Sequence, residues 1–228
     1  MKTEQWVETQ TNRALQSEHD VGRAYVEAMK AGVPFHNDRW KNWDNIIAVK
    51  HVLKDVKPAD RILDAGACRD PKSPSAFLPG LSEHGYQRLI GCNLDEKHRV
   101  MERGIRYEPG DIMNTTYPDG FFGFVACLSV IEHGVNEFKF LQEMSRIIKR
   151  GGKLFVSFDY WYHPIDTGDR MAWGAPVRIF NADDVHAMVK YADGIGFQCA
   201  NYTLSCGDAV INCFGLNYTF FNLLLERR

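Results

Sequence analysis

The 228-residue sequence contains no apolar run that would cross a bilayer, which takes about 20 such residues. Its first residues, Met1 to Trp6, show no apolar signal-peptide core. The expected location is therefore the cytoplasm, with no membrane partner. Neither sign of charge is in excess: 27 basic and 29 acidic residues leave a formal net charge of −2. That argues against a polycationic surface for nucleic acid. The six cysteines include no C-x-x-C pair, which weakens the zinc and thioredoxin-like readings. Cys92 and Cys127 sit in apolar runs and read as small buried hydrophobes. A disulfide framework is not expected in a chain of this size and compartment. Internal repeats, low-complexity tracts and interdomain linkers are also missing.

What is present is ordinary globular material: 45% hydrophobic and 25% charged residues, enough for one α/β domain with a substantial core. Residues 1–35 read as helical, and Gly32 and Pro34 end that stretch. Trp40, Trp43, Ile46, Ile47, Lys50 and Leu53 step by three or four, which predicts an amphipathic helix over about 38–55. It reads first as cover for the sheet edge, and second as a lid over a site. Apolar runs at 62–63, 89–93, 105–107, 122–129 and 154–158 read as strands. Helices are expected between them at about 73–84, 95–103 and 138–150. Lys149 to Gly152 reads as the end of the last of these helices, with basic residues and then glycine. Alternating strands and helices imply right-handed crossovers and a mostly parallel sheet. Residues 159–181 form a long insertion, too aromatic for disorder, with Tyr160, Trp161, Tyr162, His163, Trp173 and Phe180. A helix over 182–194, capped by Asn181, precedes two strands at 197–204 and 218–225 that pair antiparallel.

The segment 61–70, Arg-Ile-Leu-Asp-Ala-Gly-Ala-Cys-Arg-Asp, organises the rest. Asp64 is an acid placed where a short buried strand stops. Gly66 permits a sharp turn and a close backbone approach, and Pro71, Ser73 and Pro74 lead into a helix. In an open α/β sheet the ligand sits outside the carboxyl end of such a strand. A dinucleotide site would carry G-x-G-x-x-G and an acid about 20 residues further on. Here the second and third glycines are absent.

Further features stand at successive strand ends: Asn93-Leu94-Asp95, Gly110-Asp111-Ile112 and Leu128-Ser129-Val130-Ile131-Glu132-His133, followed by the Gly151-Gly152 turn. In order and spacing this set resembles the class I S-adenosylmethionine-dependent methyltransferases, closely over about 60–160. The resemblance implies a Rossmann-like, mostly parallel seven-stranded sheet with helices on both faces and a C-terminal antiparallel strand pair. It divides the chain into an N-terminal helical cap (1–57) and a methyltransferase domain (58–228) with the insertion 159–181. It implies S-adenosylmethionine as cofactor. Asp64, Ala65 and Gly66 would surround its amino-acid end, and Leu128 and Ser129 would floor the methionine part. Asn93, Leu94 and Asp95 would meet the ribose, with Asn93 where the family usually has an acid. Asp111 and Ile112 would meet the adenine. Lys41-Asn42-Trp43, Pro71, Asp159-Tyr160, Ile165-Asp166-Thr167 and Ile179-Phe180 resemble a bacterial subset that often acts beside glycosyltransferases, which hints at sugars or related metabolites.

An O- or N-acceptor often needs a general base. The candidates are His133, which follows the fourth strand, Asp159, which ends the fifth, and His163 in the insertion. Each has a plain structural alternative: a helix cap, a turn acid and a surface residue. The function expected is methyl transfer to a small molecule, with no metal. A second reading is a binding or regulatory protein on a methyltransferase fold, motivated by Cys68 and Asp70 in place of glycines and by Asn93.

Overall fold

The computed structural model describes residues 3–69, 74–172 and 174–228. Asp70, Pro71, Ser73 and Trp173, singled out above, lie outside the described residues. In chain order the elements are α1 (Thr3–Gln10), α2 (Glu18–Ala31), α3 (Lys41–Asp55), β1 (Ile62–Ala65), α4 (Phe77–Glu83), β2 (Leu89–Asn93), β3 (Val100–Glu102), β4 (Ile105–Pro109) and β5 (Phe122–Leu128). There follow α5 (Glu137–Ile147), β6 (Ile148–Tyr160), β7 (Met171–Ala172), β8 (Ala175–Pro176), α6 (Ala182–Gly194), β9 (Phe197–Cys199), β10 (Ile211–Cys213) and β11 (Leu216–Arg227).

Among the described residues the main sheet runs β10-β11-β6-β5-β1-β2-β4-β3, with β9 also paired to β11. The pairs β4–β2, β2–β1, β1–β5 and β5–β6 are parallel, and β11 runs antiparallel to β6 and β9. This is the expected α/β Rossmann-like architecture, with short β3 and β10 added to the seven expected strands. β1 has β2 on one side and β5 on the other, so the strand order reverses there. A cleft therefore opens outside the carboxyl ends of β1 and β5.

Alternation along the strands sends side chains to two cores. Ile62, Phe124, Ala126 and Phe155 pack with Trp43, Ile46, Ile47 and Phe77, on the α1–α4 face. Leu63, Val125, Leu154 and Val156 pack with Phe140, Met144, Val185 and Met188, on the α5–α6 face. Cys92 and Cys127 are buried as expected. α3 lies on the sheet face rather than at its edge.

Three local expectations change. The single N-terminal helix is two helices. Between them Asn12 takes φ 58°, and Arg13 and Ala14 bridge to Thr203 and Phe221. The expected helix at 95–103 is instead the start of a hairpin. Val100 to Glu102 pairs antiparallel with Ile105 to Tyr107 around Arg103 and Gly104, both at positive φ (50° and 80°), as a tight right-twisted hairpin turn requires. α5 ends at Ile147, and Lys149 to Gly152 lies inside β6, where the register with β5 shifts. The insertion is closed at its base: Phe180 N donates to Asp159 O (2.9 Å) and Trp161 N to Phe180 O (2.9 Å). Tyr160 and Phe180 are fully buried there.

Candidate active site

A cavity of about 240 Å³ opens at the carboxyl edge of the sheet. β1 and its turn bring Asp64 and Gly66 to it, β2 brings Asn93, Leu94 and Asp95, and the end of β5 brings Leu128, Ser129 and His133. The three groups are at least 27 positions apart in the chain and meet because β2, β1 and β5 are neighbours. Ala65 is buried beneath the cavity, in the second core. Asp111, Ile112, Asp159 and His163 are not on the wall. The Asp111 carboxylate accepts from Met113 N (2.8 Å), and Ile112 is buried in the second core. Gly110 N donates to Asn93 O (3.2 Å), which holds that loop against the end of β2. His163 is exposed and stacks edge-on with Tyr162.

The wall also carries residues that the motif reading did not assign. His36, Lys41, Asp44 and Asn45 come from the start of α3 and the segment before it, and Cys68, Ser75 and Val130 complete the rim. The first turn of α3 is thus part of the site, as in the lid reading, while its middle packs on the sheet. The available signal was a set of polar residues in the first turn of an otherwise apolar helix. The fixed approach of α3 has a visible cause. Buried Trp43 donates its indole N–H to Gln10 Oε1 (3.0 Å), and Asn222 on β11 donates to Gln10 O (2.8 Å) and accepts from Asn12 N (2.9 Å).

Gly66 takes φ 99°, and a Cβ there would overlap the Val130 side chain. The turn therefore leaves bare backbone facing the cavity. Cys68 is not among the residues at positive φ, so the missing second glycine costs no backbone strain. Ser129 does take φ 53° at the cavity floor. It is held there by Ser129 N donating to Ser157 O (3.1 Å) and Oγ (3.2 Å). The Asn93 amide donates to Gly66 O (3.3 Å) and Ala67 O (3.0 Å), and its Oδ1 accepts from Asp95 N (3.0 Å). Asn93 is therefore a staple between the two turns, and the carboxylate of exposed Asp95 is the one at the rim.

Electrostatically the site is unusual for its buried acids. Burial pushes Asp64 and Asp44 up to about 6, against the hydrogen bonds each accepts from Ser75 (2.6 Å) and Ser157 (2.5 Å). Burial raises both Asp159 and Glu132. Burial lowers His133 to about 4, with Lys41 acting in the same direction. His133 is thus neutral at physiological pH, with a buried Nδ1 that has no hydrogen-bond partner.

Residues 73–156 match the family described as "Methyltransferase domain". No curated protein sequence matches the chain. Solved structures do, at low identity. Geranyl diphosphate C-methyltransferase from Streptomyces coelicolor A3(2), in complex with Mg2+, geranyl diphosphate and S-adenosyl-L-homocysteine, has a TM-score of 0.61 at 12% identity, over 88% of each chain. An S-adenosylmethionine-dependent methyltransferase from Mesorhizobium loti gives 0.58 at 17%, over 82% of this chain and 98% of that one. Phosphoethanolamine N-methyltransferase 2 from Haemonchus contortus, in complex with S-adenosyl-L-methionine, gives 0.55 at 15%, over 81% of this chain and 52% of that one. The sheet order, the cleft at β1 and the family match lead to one conclusion: the chain has the Rossmann-like fold of S-adenosylmethionine-dependent methyltransferases.

Proposed function

We propose that the protein is an S-adenosylmethionine-dependent methyltransferase acting on an O or N acceptor in a small molecule, a sugar or related metabolite. The observation that carries this reading is the convergence of Asp64, Gly66, Asp95, Leu128 and Ser129 on one cavity at the reversal of strand order. The residues fit the cofactor. The bare turn at Gly66 accepts a close ligand, and the carboxylate of Asp64 suits its ammonium group. Asp95 suits the ribose hydroxyls, in place of Asn93. Exposed Leu94 offers apolar surface at the rim, while Asp111 and Ile112, which the resemblance put at the adenine, stand off the cavity wall on the loop after β4. The cofactor would supply a methyl group on a sulfonium, which is already a good leaving group.

The protein's part is then mainly to position the acceptor and keep water out. His133 on the wall and Asp159 behind it are the groups placed to accept a proton. The unstrained backbone at Cys68 favours the catalytic reading over the binding-protein reading. The test is to supply the purified protein with S-adenosylmethionine and a panel of sugars and small amines, and to measure S-adenosylhomocysteine formed. Acceptor-dependent product supports the proposal. A folded protein that binds no S-adenosylmethionine favours the binding-protein reading.

A further inference from the structure

The proposed cofactor takes up the wall residues on β1, β2 and β5, but not those in the first turn of α3. Two side chains of that turn line the cavity without partners. Asn45 is 5% exposed, and its Oδ1 is buried with no hydrogen-bond partner. Half-buried Lys41 makes no ion pair among the described residues. Other partly buried cations of the chain are paired, Lys153 with Asp55 (2.6 Å) and Arg178 with Glu137 (2.8 Å).

The order of residues in the turn explains both. Lys41 and Asp44 are three apart, a spacing that suits an ion pair on a helix. The pair does not form because Asp44 is turned to the sheet. Its Oδ2 accepts from Ser157 Oγ (2.5 Å) and Ser129 Oγ (3.5 Å), and its Oδ1 accepts from Asn45 N (2.8 Å). Lys41 and Asn45 are four apart, so they share one helix face with Cβ atoms roughly 6 Å apart. Lys41 is the one Lys or Arg on the described wall. It acts toward the ends of β5 and β6: it is the foremost charged neighbour of His133 and of Asp159, whereas at Asp64 it comes after Asp44. The turn at Gly66, assigned to the amino-acid end of the cofactor, belongs to β1 instead.

We infer that Lys41 and Asn45 bind a carboxylate with a hydroxyl beside it, so that the methyl acceptor is a hydroxy acid of the sugar-acid kind. Lys41 Nζ donates to the carboxylate, and the hydroxyl donates to Asn45 Oδ1. The positive end of α3 adds to the attraction for an anion. One lysine on a wall that also carries Asp44, Asp64 and Asp95 balances a single negative charge, not a phosphate dianion. A neutral sugar leaves Lys41 without a counter-charge, and a plain carboxylic acid leaves Asn45 Oδ1 unpartnered, so each binds less well. That the ligand is the methyl acceptor rests on the methyltransferase reading; the Lys41–Asn45 site does not.

The test uses glucuronate, with glucose as its uncharged counterpart and cyclohexanecarboxylate as its hydroxyl-free one. Binding to the full protein is read by saturation-transfer NMR, with and without S-adenosylhomocysteine. Glucuronate should bind roughly tenfold tighter than glucose and roughly fivefold tighter than cyclohexanecarboxylate, with S-adenosylhomocysteine present as well as absent. Lys41→Met should remove the advantage over glucose, and Asn45→Leu the advantage over cyclohexanecarboxylate, with S-adenosylhomocysteine affinity unchanged in both. Asn45→Ala gives the same reading if Asn45→Leu does not fold. Glucose binding as well as glucuronate, or both advantages surviving in the variants, would overturn the inference. So would displacement of glucuronate by S-adenosylhomocysteine together with loss of S-adenosylhomocysteine affinity in Lys41→Met, which would give Lys41 to the carboxylate of the cofactor. S-adenosylhomocysteine binding without glucuronate binding removes the site and leaves the methyltransferase reading. Glucuronate binding without S-adenosylhomocysteine binding does the reverse.

Discussion

Asp64 is a carboxyl group buried at the end of a strand, bonded to Ser75 and faced by another acid, Asp44. Burial raises it to about 6, whereas the unfolded chain releases that proton near pH 4. The folded protein therefore holds the proton to higher pH. The stability that this group contributes is present below about pH 4 and is lost as pH rises through 6. Asp64→Asn should accordingly stabilise the cofactor-free protein at pH 8, by on the order of 2–3 kcal/mol, and give no gain at pH 4. Urea unfolding at the two values checks this. The same variant should lose affinity for S-adenosylhomocysteine, the usual exchange of stability for function at a site. Gly66→Ala should cost about 2 kcal/mol, because φ 99° disfavours any Cβ and Val130 must move, and the same unfolding assay reads it. At this scale the sequence was most legible where a residue ends a strand. Asp64, Gly66, Leu128 and Ser129 carry that signal. His36, Lys41, Asp44 and Asn45 do not, because they reach the cavity only through the docking of α3.

Between elements, local chemistry and tertiary pairing compete. α6 was legible to the residue, since Asn181 and Asp184 form a reciprocal capping box at its start. The stretch 95–103 is rich in Glu, Lys, Arg and Met, all good helix formers. It nevertheless ends in β3, because the turn at Arg103-Gly104 and pairing with β4 prevail. Residues 1–35 break at Asn12 for the same kind of reason: the segment from Asn12 to Ala14 is bound to β11 and to Thr203, far away in sequence. Asn222 is central to that contact. Asn222→Ala leaves Asn12 N and Gln10 O buried without partners, and should cost about 2–3 kcal/mol. Hydrogen exchange should show the loss first in α1 and at the start of α3.

At the scale of the molecule, the sheet order and the packing of α3 make one cavity from four separate stretches of chain. The order of strands and helices was legible because the central strands are continuous apolar runs, as strands covered on both faces must be. The roof from α3 was only half legible. An amphipathic helix announces a buried face but not which surface it covers. Among the described residues no helix is long and apolar enough to cross a membrane. The central claim is that this cavity holds S-adenosylmethionine, with Asp95 rather than Asn93 at the ribose. The measurement that tests it most directly is a calorimetric titration of the protein, and of Asp95→Ala, with S-adenosylhomocysteine. The account predicts binding in the micromolar range, weakened roughly tenfold or more in Asp95→Ala. No binding by a protein whose circular dichroism shows an intact fold, or binding indifferent to Asp95, would contradict it.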